Sequence, residues 1–274
     1  MKKQKKKKIL VPIDGSDRAL NTVRYVARVE PFRKMDIVLF HVFSSVPEGY
    51  WDLEKDPRST STVRQVRTWE IGQRKGIKQY MEQASQYLLK AGVTPESITI
   101  KIQNRKKGIA RDIIREARNG YEAVVTRRRG MTGLRRIVLG SVATKLLTQI
   151  TFLPLLLVGK LTPNNKILLA YDGSENADNV VKFAGSLLGG FDYEVDLVSV
   201  IRDNREKRLE HRQIFLPKEF ARVASEEMSS SLKAAQAELI HAGFKSDKVS
   251  TRIVKGATSR AEFQIGRASC RERV

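Results

Sequence analysis

The stretch Lys8-Ile9-Leu10-Val11-Pro12-Ile13-Asp14-Gly15-Ser16 decides the fold, because the chain begins it again at Lys166-Ile167-Leu168-Leu169-Ala170-Tyr171-Asp172-Gly173-Ser174. Each version is an apolar run of strand length that stops on Asp-Gly-Ser. A continuous apolar run is the pattern of a strand buried on both faces, where an alternating run would leave one face wet. Outward from this segment the two copies stay in step. Asn21 falls on Asn179 and Val23 on Val181. A second apolar run follows in each, at 37–43 and 195–201. Ala91-Gly92-Val93 recurs as Ala242-Gly243-Phe244, and Lys107-Gly108 as Lys255-Gly256. Ordered matches at similar spacing mark a duplicated unit. The expected divisions are a basic tail at 1–7, a complete unit at 8–160, a polar linker at 161–165 and a partial second unit at 166–263. The segment 264–274 reads as foreign to the fold and as a non-native tail, since Gly266-Arg267-Ala268-Ser269-Cys270 does not continue an amphipathic helix pattern.

Within the first copy, strand and helix signals alternate. Ser16 or Asp17 is placed to cap a helix running to about residue 29. The run 37–43 is the second strand, and 44–61 reads as a loop carrying Pro47, Gly49 and Pro57. A long helix follows, with Ile77, Tyr80, Met81, Ala84, Tyr87 and Leu88 at helical spacing, which assigns them to the core. Gly92 is its natural stop. Residues 98–102 form a third strand, Gly108 opens a helix that ends before Gly120, and 123–126 is a short fourth strand. A basic loop containing glycines leads to Ser141, the cap of a helix to about residue 150, and 155–158 is the fifth strand. Such alternation predicts an α/β fold with a parallel sheet covered by helices on both faces. The second copy shows strands at 166–171, 195–201 and 249–254 and a helix from about Thr258.

Composition narrows the function classes. The chain has 274 residues, 41% of them hydrophobic, and a formal charge of +21. The single cysteine, Cys270, excludes a disulfide framework and a multi-cysteine metal site, and fits a cytoplasmic setting. No apolar run approaches the roughly 20 residues of a membrane helix. The run after Lys8 is too short for a secretory signal before it meets Asp14. The run Lys2, Lys3, Lys5, Lys6, Lys7 and Lys8 reads first as a solvated tail and second as a handle for nucleic acid or anionic surfaces. It carries no aromatic residues on which bases could stack. His41 sits in a strand pattern as core, and His211 and His241 lack metal-ligand spacing. The sequence has no P-loop, which argues against a fast NTPase.

Two segments carry the chemistry. In an open parallel sheet, ligands bind beyond the carboxyl ends of the strands, where strand order reverses. Asp14 lies at the carboxyl end of the first strand, with a carboxylate able to accept from ribose hydroxyls or a base amine. On its own, the Asp-Gly-Ser turn reads first as a helix cap and only second as a ligand contact. The loop Thr126-Arg127-Arg128-Arg129-Gly130-Met131-Thr132-Gly133 and the helix start at Gly140-Ser141 shift that balance. The amides of Gly140, Ser141 and Val142 open a helix and form an anion site, in a region made positive by Arg127, Arg128, Arg129, Arg135 and Arg136.

With these residues in view, the chain resembles the universal stress protein family in its tandem form. The match rests on Val11-Pro12-Ile13-Asp14-Gly15-Ser16, Val38-Leu39-Phe40-His41-Val42, the glycine loop, Leu139-Gly140-Ser141-Val142-Ala143-Thr144-Lys145 and Pro154-Leu155-Leu156-Leu157-Val158. It covers about 8–160 fully and 166–263 in part. The resemblance implies an open five-stranded parallel sheet in the order 3-2-1-4-5, followed by an incomplete second copy. It further implies an adenine-nucleotide site for ATP or AMP, with or without Mg. Ile13, Asp14 and Val42 would hold adenosine, while Thr126, Arg127, Gly130, Gly140, Ser141 and Val142 would surround the phosphates. Gly130 and Gly140-Ser141 fit the family's phosphate-loop pattern, but Arg127 stands where that pattern begins with glycine. Its Cβ either crowds the backbone's approach to phosphate, or its guanidinium pairs with phosphate directly. The implied activity is regulatory, a stress-response module without fast turnover. A slow ATP hydrolase, a ligand-free scaffold or dimerisation module, and a nucleic-acid binder working through the tail remain the alternatives. Domain pairing, within the chain or between copies, is expected of the family.

Overall fold

Ile9, Leu10 and Val11 are fully buried, as their unbroken apolar run requires, because they form the middle of a parallel sheet with helices on each side. The computed structural model describes residues 6–45, 60–127, 141–159, 165–202 and 218–256, and the chain divides into two units, Met1–Thr162 and Pro163–Val274. The first unit contains β1 (Lys8–Pro12), β2 (Asp36–Phe43), β3 (Ile98–Asn104), β4 (Ala123–Arg127) and β5 (Leu155–Val158), ordered β3-β2-β1-β4-β5. All four pairings are parallel. The order reverses between β1 and β4, which places the switch point beside Asp14.

Alternate residues of the strands feed two cores. Leu10, Val38, Phe40, Val42 and Val124 face α4 (Ile109–Ala117) and α5 (Ser141–Gln149). The opposite face, with Ile9, Val11, Ile37 and Leu39 buried, is covered by α1 (Leu20–Arg28) and α3 (Thr60–Lys90), which also pack on one another. A short α2 (Glu30–Arg33), not anticipated from the sequence, starts with Pro31 in its first turn and buries Phe32. Arg33 reaches from it to the Ala91 carbonyl at 3.1 Å, satisfying one of the unpaired carbonyls at the end of α3.

Several boundaries differ from the sequence expectation, each for a local reason. The first helix begins at Leu20 without a side-chain cap. Ser16 Oγ accepts instead from Ala19 N–H at 3.3 Å and Ser16 O from the same group at 2.8 Å, which closes a turn ahead of the helix. β3 runs on to Asn104 because pairing with β2 continues to Phe43, and β4 includes Arg127 because it pairs with Val158. α4 stops at Ala117, short of residue 119.

The second unit pairs β6 (Lys166–Ala170), β7 (Glu194–Arg202) and β8 (Val249–Gly256) in the order β6-β7-β8, the counterpart of β1-β2-β3. α6 (Glu175–Leu188) and α7 (Lys218–His241) cover one face around Leu169, Val181, Leu197, Leu232 and Leu239. Here Ser174 caps its helix, accepting from Ala177 N–H at 3.2 Å. The helix expected from Thr258, the tail 264–274 and the loop holding Gly130 and Gly140 lie outside the described residues.

Candidate functional site

The site is built on the end of β1. Ile13 continues the β1–β2 pairing beyond the strand itself: its N–H donates to Phe40 O at 2.9 Å, and its carbonyl accepts from His41 Nδ1 at 2.8 Å. A carbonyl can only accept, so Nδ1 carries the proton. His41 is core, as its strand pattern indicated, but it also fixes the peptide that presents Asp14. The chain then turns at Gly15, whose φ of +83° is a left-handed conformation that glycine adopts without strain. A side chain there would also collide with α3, since a Cβ would lie 2.8 Å from Ile77 Cδ1.

Asp14 is exposed at this turn. Its Oδ1 accepts from Ser16 N–H at 3.0 Å and from Ser16 Oγ at 2.6 Å. Among the described residues Oδ2 accepts no hydrogen bond, leaving one carboxylate oxygen to face outward. From α3, Tyr80 donates its hydroxyl to Ser16 O at 2.7 Å. Burial pushes the Tyr80 phenol well above its usual range, and the carboxylates of Asp14 and Asp17 add to that, so it remains a donor. Ile77 and Tyr80, read from the sequence only as core, therefore hold α3 across the turn. The helical period showed their common face but carried no signal of a partner so distant in sequence.

The remaining anticipated residues divide by location. Ile13 and Val42 are buried at the carboxyl ends of β1 and β2. Thr126 is buried and Arg127 half-buried at the carboxyl end of β4, the neighbour of β1 across the switch point. Arg127 lies in strand, and no described non-glycine residue has positive φ, so this position does not demand a left-handed backbone. Ser141 is the exposed first residue of α5, and Val142 packs against the core beside it. Gly130 and Gly140 lie outside the described residues. Among the described residues no group of three or more His, Cys, Asp or Glu is placed to hold a metal ion, and no helix is long and apolar enough to cross a membrane.

The second copy repeats half of this arrangement. Gly173 has φ +75°, Tyr171 N–H donates to Val198 O at 2.9 Å, and Asp172 Oδ1 accepts from Ser174 N–H at 3.1 Å. Buried Ser199 occupies the position of His41. Among the described residues no strand pairs with the other edge of β6, so Asp172 has no counterpart of Thr126 and Arg127 beside it.

Comparison with known proteins bears on both copies. The model of the universal stress protein family matches residues 6–159 and, separately, 163–264. A universal stress protein of Mycolicibacterium smegmatis is 29% identical over 143 residues, which is 51% of this chain and 44% of that relative. The chain thus spans less than half the length of the curated relative it matches. Among solved structures, a universal stress protein from Archaeoglobus fulgidus DSM 4304 superposes with TM-score 0.54 at 17% identity, covering 92% of this chain and 79% of that one. A functionally unknown protein from Pseudomonas aeruginosa PAO1 gives TM-score 0.51 at 15% identity, covering 92% and 75%. At these identities the two structures show a shared fold.

Proposed function

Starting from the fact that the chain belongs to the universal stress protein family, we propose that its first unit binds ATP or AMP and acts as a regulatory module without fast turnover. The observation that carries this reading is the placement of Asp14. It stands exposed at a switch point, on a turn pinned by His41, Gly15 and Tyr80, with one carboxylate oxygen unclaimed by described residues. A ribose hydroxyl donating to Asp14 Oδ2 would place the base toward Val42 and the phosphates toward β4. There Arg127 supplies a guanidinium, and Thr126 and the amides of Ser141 and Val142 supply neutral donors, with Gly130 and Gly140 completing the loop. Mg, where it accompanies ATP, would enter on the phosphates. Because Arg127 keeps an extended backbone, its guanidinium is the better account of the missing glycine. A cytoplasmic setting and pairing between domains belong to the same reading.

Calorimetric titration of the folded full chain with ATP and AMP tests it. Saturable heat with either nucleotide supports the proposal. A folded sample that gives no heat with both rejects it. Mass-spectrometric identification of a small molecule carried through purification would reveal whether another ligand occupies the site.

A further inference from the structure

The amino-terminal half of α3 presents a row of cations. Arg64, Arg67, Arg74, Lys75 and Lys78 fall within one side of the helix by its 3.6-residue period, with Ile71, 68% exposed, among them. The row spans about 21 Å at 1.5 Å per residue. Arg74 is engaged only by neutral groups in the described contacts: it donates to Asn104 Oδ1 at 2.8 Å and lies 4.6 Å from the centre of the Phe43 ring. Those contacts hold the row against the ends of β2 and β3. There the exposed Arg105, Lys106 and Lys107 extend the positive surface onto the next loop. Two acids are near. Glu70 shares an open groove of about 340 Å³ with Arg67, Ile71 and Arg74, and Glu82 lies 4.0 Å from Lys78. Among the described ion pairs none joins Arg64, Arg74, Lys75, Arg105, Lys106 or Lys107 to an acid, and the chain as a whole is +21.

We propose that this ridge binds the phosphate backbone of double-stranded nucleic acid, independently of the nucleotide site. Duplex fits better than single strands. No aromatic side chain lies in the row on which bases could stack, because Trp69 projects from another side of α3. A duplex, by contrast, offers about one phosphate per 1.7 Å of axis along the ridge's whole length. The ridge lies at 64–78 and 105–107, apart in sequence from the lysine run at 2–8. Contacts of this kind read charge and not sequence, so the expected binding is non-specific, with Kd on the order of 10⁻⁴ to 10⁻⁶ M at physiological salt.

Fluorescence anisotropy of the full chain with a labelled 20-base-pair DNA duplex, from 50 to 200 mM KCl, is the test; the probe length and salt range bracket the roughly 21 Å ridge and the counterion-release regime. The quadruple variant Arg64→Gln, Arg67→Gln, Lys75→Gln, Arg105→Gln should bind at least about tenfold more weakly at the lowest salt. Its log–log salt slope should be shallower by about 3, since each phosphate contact contributes about 0.9. The tail variant Lys2→Gln, Lys3→Gln, Lys5→Gln should keep most of the binding. Tryptophan-monitored urea unfolding checks that each variant is folded, and the double reversal Arg64→Glu, Lys75→Glu gives a second variant with the same expected direction. Parent-like binding by the folded ridge variants would overturn the proposal. So would loss of binding through the tail variant alone, or binding to phosphatidylserine vesicles without binding to the duplex.

Discussion

Replacing Gly15 by alanine probes the turn that presents Asp14, and the two units supply a built-in control. In the first unit the added Cβ meets two obstacles: φ is +83°, and Ile77 Cδ1 lies 2.8 Å away. In the second unit, alanine at Gly173 meets one, since φ is +75° but Met228 Cε lies at an ordinary 3.5 Å. Left-handed backbone costs a non-glycine residue about 1–2 kcal/mol. Displacing a packed methyl adds about 1 kcal/mol, and the stiffer unfolded chain returns about 0.5 kcal/mol. Gly15→Ala should therefore destabilise its unit by about 2 kcal/mol and Gly173→Ala by about 1 kcal/mol. Both of the chain's 2 tryptophans, Trp51 and Trp69, lie in the first unit, so urea unfolding followed by tryptophan fluorescence reports that unit selectively. Ile77→Val removes the obstructing methyl. In the Gly15→Ala background it should recover about 1 kcal/mol that it does not recover in the parent. Gly15→Ala with parent stability, or a double variant in which the two effects simply add, would refute the claim that α3 is seated directly on the turn.

Further outcomes follow from other contacts. Burial tends to raise the Glu116 pKa, but hydrogen bonds from Lys101 at 2.7 Å, Tyr121 at 2.7 Å and Asn119 at 3.1 Å outweigh it and hold it below the ordinary value. A depressed carboxylate pKa contributes stability above the unfolded value and loses it as pH falls through the folded one. Glu116→Gln should thus cost about 1–3 kcal/mol at neutral pH, with the gap to the parent closing below about pH 4 in urea titrations. In the second unit, a Cβ on Gly189 would lie 1.9 Å from the Ala242 carbonyl oxygen, which is backbone and cannot yield cheaply. Gly189→Ala should cost about 3 kcal/mol, seen as loss of second-unit helix by circular dichroism while the tryptophan transition stays in place. Val200 in the middle strand of the second sheet is 38% exposed, whereas its counterpart Val42 is buried. Limited proteolysis should accordingly cut the second unit before 8–160; equal resistance would contradict that.

How much of this could be read in the sequence depended on the range of the interaction. The apolar run at 9–13 is the pattern of a strand buried on both faces, and Ile9, Leu10 and Val11 are fully buried. Its repetition at 166–171 announces a second unit, but there Lys166 and Ala170 are exposed and only Leu169 of β6 is buried. The side-chain period likewise separates Leu10, Val38 and Val42 from their neighbours. The order of the strands came from the family resemblance, since periodicity does not say which strand lies beside which. Asp14 and Gly15 stood out because an acidic residue and a glycine directly after a buried strand are a local signal. The supports of that turn were not legible. His41 donating to Ile13, Tyr80 to Ser16 and Arg33 to Ala91 are bonds between residues far apart in the chain, made by side chains whose local pattern says only core or surface. Ser16 shows the opposite error: a correct capping residue type closes a turn, because Ala19 N–H is already part of it when the helix starts at Leu20.

Asp14 and Asp172 occupy equivalent positions in the two copies, and counting bound nucleotides tests directly whether the first unit holds the site. Equilibrium dialysis of the full chain with labelled ATP should give one site per chain. Asp14→Ala, verified as folded by its tryptophan unfolding curve, should abolish binding, and Asp172→Ala should leave it unchanged. Binding that survives Asp14→Ala, or is lost with Asp172→Ala, would contradict the account.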